Sequence, residues 1–287
     1  LHRGGVRFLG YFNPFLVPEQ DLYETAVREG YIVRNAQGQP AIFPISVLEG
    51  GVVDLTNPAA VAWYQGYARN ALALGMDGWM HDFGEWSPHD GVLRDGSDPR
   101  RFHNRYPERW QRAAREVFEA QRPGGDWVML SRSGWLRSAQ ASQVVWAGDQ
   151  EATWDEFDGL PTVIPAMVSL GLAGIGYVTH DVAGFSGGPS TKELFQRWVE
   201  LAAFTPIFRT HEGLRRMDNW RWDRDADTLA RVQRFLRDAV KLDLAAARIG
   251  DGPWQAAGAL RPNAGDTFDV DVVLFNDGVG HRFPGSV

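Results

Sequence analysis

What most constrains this chain is an alternation. Short apolar runs at residues 7–12, 78–81, 127–131, 142–146, 174–179 and 206–210 are separated by longer stretches with helical spacing at 58–74, 107–121, 156–172, 191–204 and 225–247. Strands of this length that alternate with helices pair in parallel, because each crossover helix returns the chain to the same end of the sheet. Thr56, Asn57 and Pro58 supply a capping group and an early helical proline, and Ser190, Thr191 and Glu193 supply a cap with an acidic first turn. The reading is an α/β fold of six parallel strands joined by helical crossovers. The segments 90–105 and 185–189 are long or glycine-rich, as functional loops tend to be.

Composition removes several alternatives. With 287 residues, 44% of them hydrophobic and 23% charged, the chain is an ordinary globular sequence and not a disordered or fibrous one. A net charge of -7 argues against nucleic acid or an anionic membrane surface as partner. The absence of cysteine removes disulfides, thiolate nucleophiles and cysteine-ligated zinc. Residues 160–179 form an uncharged run, but Pro161, Pro165, Gly171, Gly174 and Gly176 punctuate it, so it reads as a buried helix followed by a buried strand. The chain opens at Leu1 with no visible signal peptide, and that start reads as a truncation, so the compartment stays open, with the cytoplasm favoured. A breaker cluster at Gly250-Asp251-Gly252-Pro253 places a boundary between a partial barrel at 1–249 and a β-rich tail at 250–287. In the tail, residues 267–275 alternate apolar and acidic side chains.

The functional signal is positional. Each expected strand is followed by polar residues that a buried strand does not need: Asn13, then Asp82 and Glu85, Arg132, Asp149, Asp181, and His211 with Glu212. In a parallel barrel those ends converge on one mouth, where catalytic groups collect. Asp82 and Asp149 each follow an apolar, tryptophan-containing run. Apolar surroundings raise a carboxyl pKa and a neighbouring cation lowers it, so environment can split two acids into an ionised and a protonated partner. Glycoside hydrolysis requires that split. Taken singly, an aspartate after a strand is more often a turn former or helix cap, and His211 or Arg132 a structural residue. Six coincident strand ends favour a site. The twelve tryptophans are core residues by default, although rings at a barrel mouth also suit the apolar faces of sugars.

Other chemistries lack their motifs. Asp90, Asp95 and Asp98 share a loop without the order of a calcium hand, and no metal is expected. There is no His-Glu-x-x-His, glycine-rich dinucleotide or phosphate loop, or Gly-x-Ser-x-Gly elbow. No cofactor is expected.

At these same positions the sequence resembles glycoside hydrolase family 31, the retaining alpha-glycosidases, over roughly residues 7–240. Met80-His81-Asp82-Phe83-Gly84-Glu85 is similar to the family's nucleophile motif, and Trp146-Ala147-Gly148-Asp149 to its acid/base motif. Ser131-Arg132-Ser133, His180-Asp181-Val182-Ala183-Gly184-Phe185 and Phe208-Arg209-Thr210-His211-Glu212-Gly213 extend the likeness. The resemblance implies a double displacement with Asp82 as nucleophile and Asp149 as acid/base, their carboxyls roughly 5 to 5.5 Å apart. It also implies that Arg132, Asp181 and His211 bind the sugar, that Trp146 and Phe185 wall the subsite, and that Glu85 supports from behind.

Within the family the wording is most similar to bacterial sulfoquinovosidases. Two departures bear on a sulfonated sugar. The Gln-Gln-Arg-Trp-Glu segment that reads the sulfonate in that subgroup would lie upstream of residue 7, and Phe185 stands where the subgroup has a tyrosine. Neutral alpha-glucosides and alpha-xylosides are therefore the alternative substrates, and a non-catalytic carbohydrate-binding fragment is the alternative role. The resemblance implies an α/β fold that is a partial (β/α)8 TIM barrel, entered at the third strand and running to the eighth, with a short β-rich C-terminal tail. Residues 279–285 resemble a β-sandwich segment that accompanies multihaem cytochromes, but without a Cys-x-x-Cys-His motif no haem is expected.

Overall fold

The structure, a computed structural model, describes residues 1–45, 48–238, 240–256 and 268–276; for 238, 240–247, 256 and 268–276 only the backbone is described. In chain order the elements are β1 (Leu9–Phe12), β2 (Phe15–Leu16), α1 (Asp21–Glu29), β3 (Phe43–Ile45), β4 (Leu48–Val52), α2 (Pro58–Ala73), β5 (Gly78–His81), α3 (Pro99–His103) and α4 (Tyr106–Gln121). There follow β6 (Val128–Ser131), α5 (Ser138–Ala141), β7 (Val144–Trp146), α6 (Val163–Leu172), β8 (Tyr177–Thr179), α7 (Lys192–Ala202), α8 (Ala226–Asp238), β9 (Val240–Ile249), β10 (Gln255–Ala256) and β11 (Phe268–Asn276). They fall into two compact units, Leu1–Gly148 with Pro165–Thr179 and Asp149–Ile164 with His180–Val287.

The first unit is built on a five-stranded sheet in the order β1-β5-β6-β7-β8, parallel throughout. Its register sets Phe12 beside His81, His81 beside Ser131, and Trp146 beside Thr179, so the strand ends are level. Asn13, Asp82 and Arg132 consequently leave the sheet at one edge. Gly78 starts β5 because nothing larger fits, since a Cβ there would lie 1.9 Å from the carbonyl oxygen of Val128.

Helices α2 and α4 cover one face of this sheet, contributing Ala68, Ala71, Leu72, Ala114, Val117 and Phe118 to a core with Trp79, Trp127 and Met129. The Phe118 ring lies between the two tryptophans, 4.1 Å from Trp79 and 4.5 Å from Trp127. Burying each such side chain contributes roughly 1.5–3 kcal/mol. Asn57 caps α2 by accepting from the Ala59 amide, with Pro58 in the first turn. Residues 160–179 form a 3-10 turn, then α6, then β8, and no helix among the described residues is long and apolar enough to cross a membrane.

Between β1 and α2 lie features the alternation did not reveal: helix α1 and an antiparallel sheet in the order β2-β4-β3. They enclose a further core that joins Ile32, Val52 and Val53 to Tyr64, Tyr106 and Trp110.

In the second unit α7 packs on α8, with Leu194, Phe195, Trp198, Val199, Val232 and Phe235 buried. Two sequence expectations fail here. The sixth strand, 206–210, is reduced to one isolated parallel bridge between Val182 and Thr210, because Pro206 has no amide to donate and the preceding residues turn off the end of α7. The helix expected over 225–247 stops at Asp238, and Val240–Ile249 is strand β9 at the centre of an antiparallel sheet ordered β10-β9-β11. Val240-Lys241-Leu242-Asp243-Leu244 alternates with period two, and β11 provides a partner of the same period from Phe268 opposite Ile249 to Asn276 opposite Val240. The 279–285 motif lies outside the described residues.

Candidate active site

In the first unit the site starts from the end of β5. His81 is fully buried, its ring stacked 4.1 Å from that of Trp110. Its Nδ1 accepts from the Trp79 indole at 3.1 Å, so Nε2 carries the hydrogen and donates to the Trp110 carbonyl at 2.9 Å. Burial lowers the His81 pKa to about 3, which keeps the ring neutral. The same Trp110 donates its indole N–H to the carbonyl of Asp82 at 3.2 Å. One tryptophan therefore holds two consecutive residues at the strand end.

The Asp82 side chain is buried, and both of its oxygens are engaged. Oδ2 accepts from the Tyr11 hydroxyl at 2.5 Å, and Oδ1 accepts from the Phe83 amide at 2.8 Å and lies 3.7 Å from Nη1 of Arg132. Phe83 takes a left-handed conformation, φ 59°, that turns the chain sharply after the aspartate. Ser133 ties this turn down by donating to the Phe83 carbonyl at 2.7 Å, and Gln111 donates to the Ser133 carbonyl at 2.7 Å.

Arg132 joins the remaining residues expected in this unit. Its Nε meets Glu85 Oε1 at 2.8 Å, and its guanidinium lies 4.3 Å from the centre of the Phe83 ring and 6.0 Å from that of Trp146. Trp146, expected as a subsite wall, is 1% exposed. Glu85 presents a second oxygen, Oε2, that is buried without a hydrogen-bond partner among the described residues. Asn13 accepts from the Phe15 amide at 3.0 Å, which is the ordinary work of a turn residue. Sequence reasoning missed Tyr11. Its place one residue before the end of β1 was the available signal, since β1 and β5 pair in register there.

In the second unit Asp181 is 1% exposed and forms an ion pair with Arg209. The expected residues Phe185 and His211 meet edge to face, 5.0 Å between ring centres. His211 Nδ1 accepts from the Gly213 amide at 2.9 Å, so Nε2 is the donor. Partial burial and the neighbouring Arg209 cation lower its pKa, favouring the neutral ring. Asp149 starts a segment bound along its backbone to residues 185–186: its carbonyl accepts from the Ser186 hydroxyl at 2.9 Å, and the Gln150 carbonyl accepts from the Phe185 and Ser186 amides. Gly184 makes this approach possible. Its φ is +83°, and a Cβ there would lie 2.7 Å from the Ala152 backbone. Arg209 was not singled out from sequence as a site residue, although it falls inside one of the matching motifs.

Chemically, the first unit offers a buried carboxylate that accepts from a phenol and a backbone amide, with an arginine 3.7 Å away that also pairs with Glu85. The second offers a buried aspartate–arginine pair, a neutral histidine donor and an aromatic face. Such groups suit the hydroxyls and rings of a saccharide. Among the described residues no cluster of three metal-ligating side chains occurs.

Residues 1–242 match the model of the glycosyl hydrolases family 31 TIM-barrel domain. The chain is 39% identical over 253 residues to a sulfoquinovosidase of Escherichia coli and 38% identical over 243 residues to one of Agrobacterium fabrum, in each case covering 83% of this chain and 37% of the relative. Among solved structures, an E. rectale family 31 sulfoquinovosidase in complex with an aza-sugar inhibitor superposes with a TM-score of 0.79 at 38% identity, over 82% of this chain and 36% of the other. The chain thus spans little more than a third of the length of these relatives. A match over so much of the chain, on the parallel α/β sheet described above, establishes that it belongs to glycosyl hydrolase family 31 and carries TIM-barrel sequence of that family.

Proposed function

We propose that this chain supplies the reacting carboxylates of a retaining alpha-glycosidase that acts on sulfoquinovosides, with Asp82 as nucleophile and Asp149 as acid/base. The observation that carries the reading is the setting of Asp82. A phenol, a backbone amide and a guanidinium all favour its charged form, as an attacking carboxylate requires. In the first step an Asp82 oxygen bonds to the anomeric carbon while the bond to the departing oxygen breaks and takes a proton from Asp149. In the second, water adds to that carbon, its proton passes to Asp149, and the ester electron pair returns to Asp82. Arg132, Asp181 and His211 would hold sugar hydroxyls, with Phe185 and Trp146 as apolar walls.

The two sulfoquinovosidase relatives support the sulfonated sugar. Phe185 favours a second reading, a neutral alpha-glucosidase or alpha-xylosidase, because it lacks the hydroxyl of the subgroup's tyrosine and so one polar contact to an anion. An alpha-xylosidase of Emericella nidulans is 29% identical over 268 residues.

The test uses this chain, both alone and in place of the matching segment of the Escherichia coli sulfoquinovosidase, with 4-nitrophenyl alpha-sulfoquinovoside and alpha-glucoside. The proposal expects turnover of the sulfonated substrate, loss of activity in Asp82→Ala, and a drop of roughly 10²–10⁴-fold in Asp149→Ala. Azide restores Asp82→Ala and yields a glycosyl azide of inverted configuration. Full activity in either variant rejects the assignment, and preference for the glucoside selects the second reading.

A further inference from the structure

Resting on the reading of Asp82 as nucleophile, we infer that Tyr11 is a positioning residue that sets the orientation and proton affinity of that carboxylate. The phenol comes from β1, the neighbour of β5, where the parallel register sets Tyr11 opposite Met80, two residues before Asp82. Its hydroxyl donates to Oδ2 at 2.5 Å, while Oδ1 is served by the Phe83 amide and Arg132. Each carboxylate oxygen therefore has its own donor, and the plane of the group is fixed. Desolvation of the hydroxyl and the carboxylate beside it push the Tyr11 pKa above its ordinary value, so the phenol keeps its proton across the neutral range.

The consequence is asymmetric between the two chemical steps. The negative charge that Tyr11 stabilises disappears when Asp82 forms the ester and returns when the ester breaks. A donor to the free carboxylate therefore restrains attack and assists departure, because hydrogen bonds to charged groups are markedly stronger than neutral ones. Tyr11 would speed breakdown of the glycosyl-enzyme more than its formation.

Tyr11→Phe removes the donor and keeps the ring. With 4-nitrophenyl alpha-sulfoquinovoside, kcat is expected to fall about tenfold, the equivalent of one charge-assisted hydrogen bond. KM falls with it as glycosyl-enzyme accumulates, and kcat/KM stays within about threefold. The acid limb of the kcat/KM profile moves to higher pH. Equal losses in kcat and kcat/KM, or an acid limb that does not move, overturn the inference. A 13C-carboxyl titration of aspartate-labelled chain reads the same effect without turnover: the Asp82 signal titrates at higher pH in Tyr11→Phe. Coincident titrations refute the role of Tyr11 whether or not the chain hydrolyses a glycoside. An inactive chain in which Tyr11→Phe still shifts that titration locates the failure in the assigned reaction.

Discussion

The neutral state of His81 makes a quantitative prediction about acid stability. Burial lowers its pKa from 6.5 to about 3, so between those limits the unfolded chain takes up a proton that the folded chain refuses. This contribution to stability is complete above the unfolded pKa and is lost as pH falls through the window from about 6.5 to 3. Within it, His81 alone costs about 1.4 kcal/mol per pH unit, hence roughly 2 kcal/mol at pH 5. His81→Gln retains a donor and an acceptor but does not titrate. Urea unfolding of both proteins at half-unit intervals from pH 4.5 to 7 reads the effect: stability of the natural chain falls more steeply toward acid than that of the variant, the slopes differing by close to one proton. Parallel slopes would mean that His81 is protonated in the folded state, and would remove the reason given for the neutral Trp79–His81–Trp110 arrangement beneath Asp82.

Other outcomes follow from single contacts. Arg209→Met leaves Asp181 buried without its cation and is expected to cost about 3–5 kcal/mol, read as a lowered urea midpoint; an unchanged midpoint would argue against a buried ion pair. Gly184→Ala must strain a positive φ and push against the Ala152 backbone, so a loss of about 1–3 kcal/mol is expected, with faster amide exchange at Phe185 and Ser186. Burial and the Arg209 cation lower the His180 pKa to about 4, so Arg209→Met should raise its titration by proton NMR while burial keeps it below 6.5; an unmoved titration would show that the cation plays no part.

Strand ends and strand-to-helix alternation were legible because each follows from a local rule. Gly78–His81 has turn residues before it and acids after it, and Pro58–Ala73 announces its own cap. What could not be read locally was pairing. Residues 206–210 have the apolar content of a strand, yet Pro206 and the neighbouring turn leave them a single bridge. Ala245-Ala246-Ala247 has high helix propensity, and the strand wins because β11, some twenty residues further on, offers a whole antiparallel ladder. The candidate site divides in the same way. Asp82, Glu85 and Arg132 stood out as polar residues after apolar runs, and the structure joins them. Tyr11 and Arg209 did not stand out: a tyrosine inside a strand reads as core, and Arg209 acquires meaning only beside Asp181. Trp146 stood out as the tryptophan that ends an apolar run, and the structure buries it with its ring centre 6.0 Å from the Arg132 guanidinium.

The central claim is that Asp82 becomes covalently bonded to the sugar, and it can be examined by trapping. Incubation with a 5-fluoro alpha-glycosyl fluoride, proteolysis and mass spectrometry should find the glycosyl mass on the peptide containing Met80-His81-Asp82, fragmenting to an ester on Asp82. A label on a different carboxylate, or inactivation with no label at that aspartate, would contradict the account.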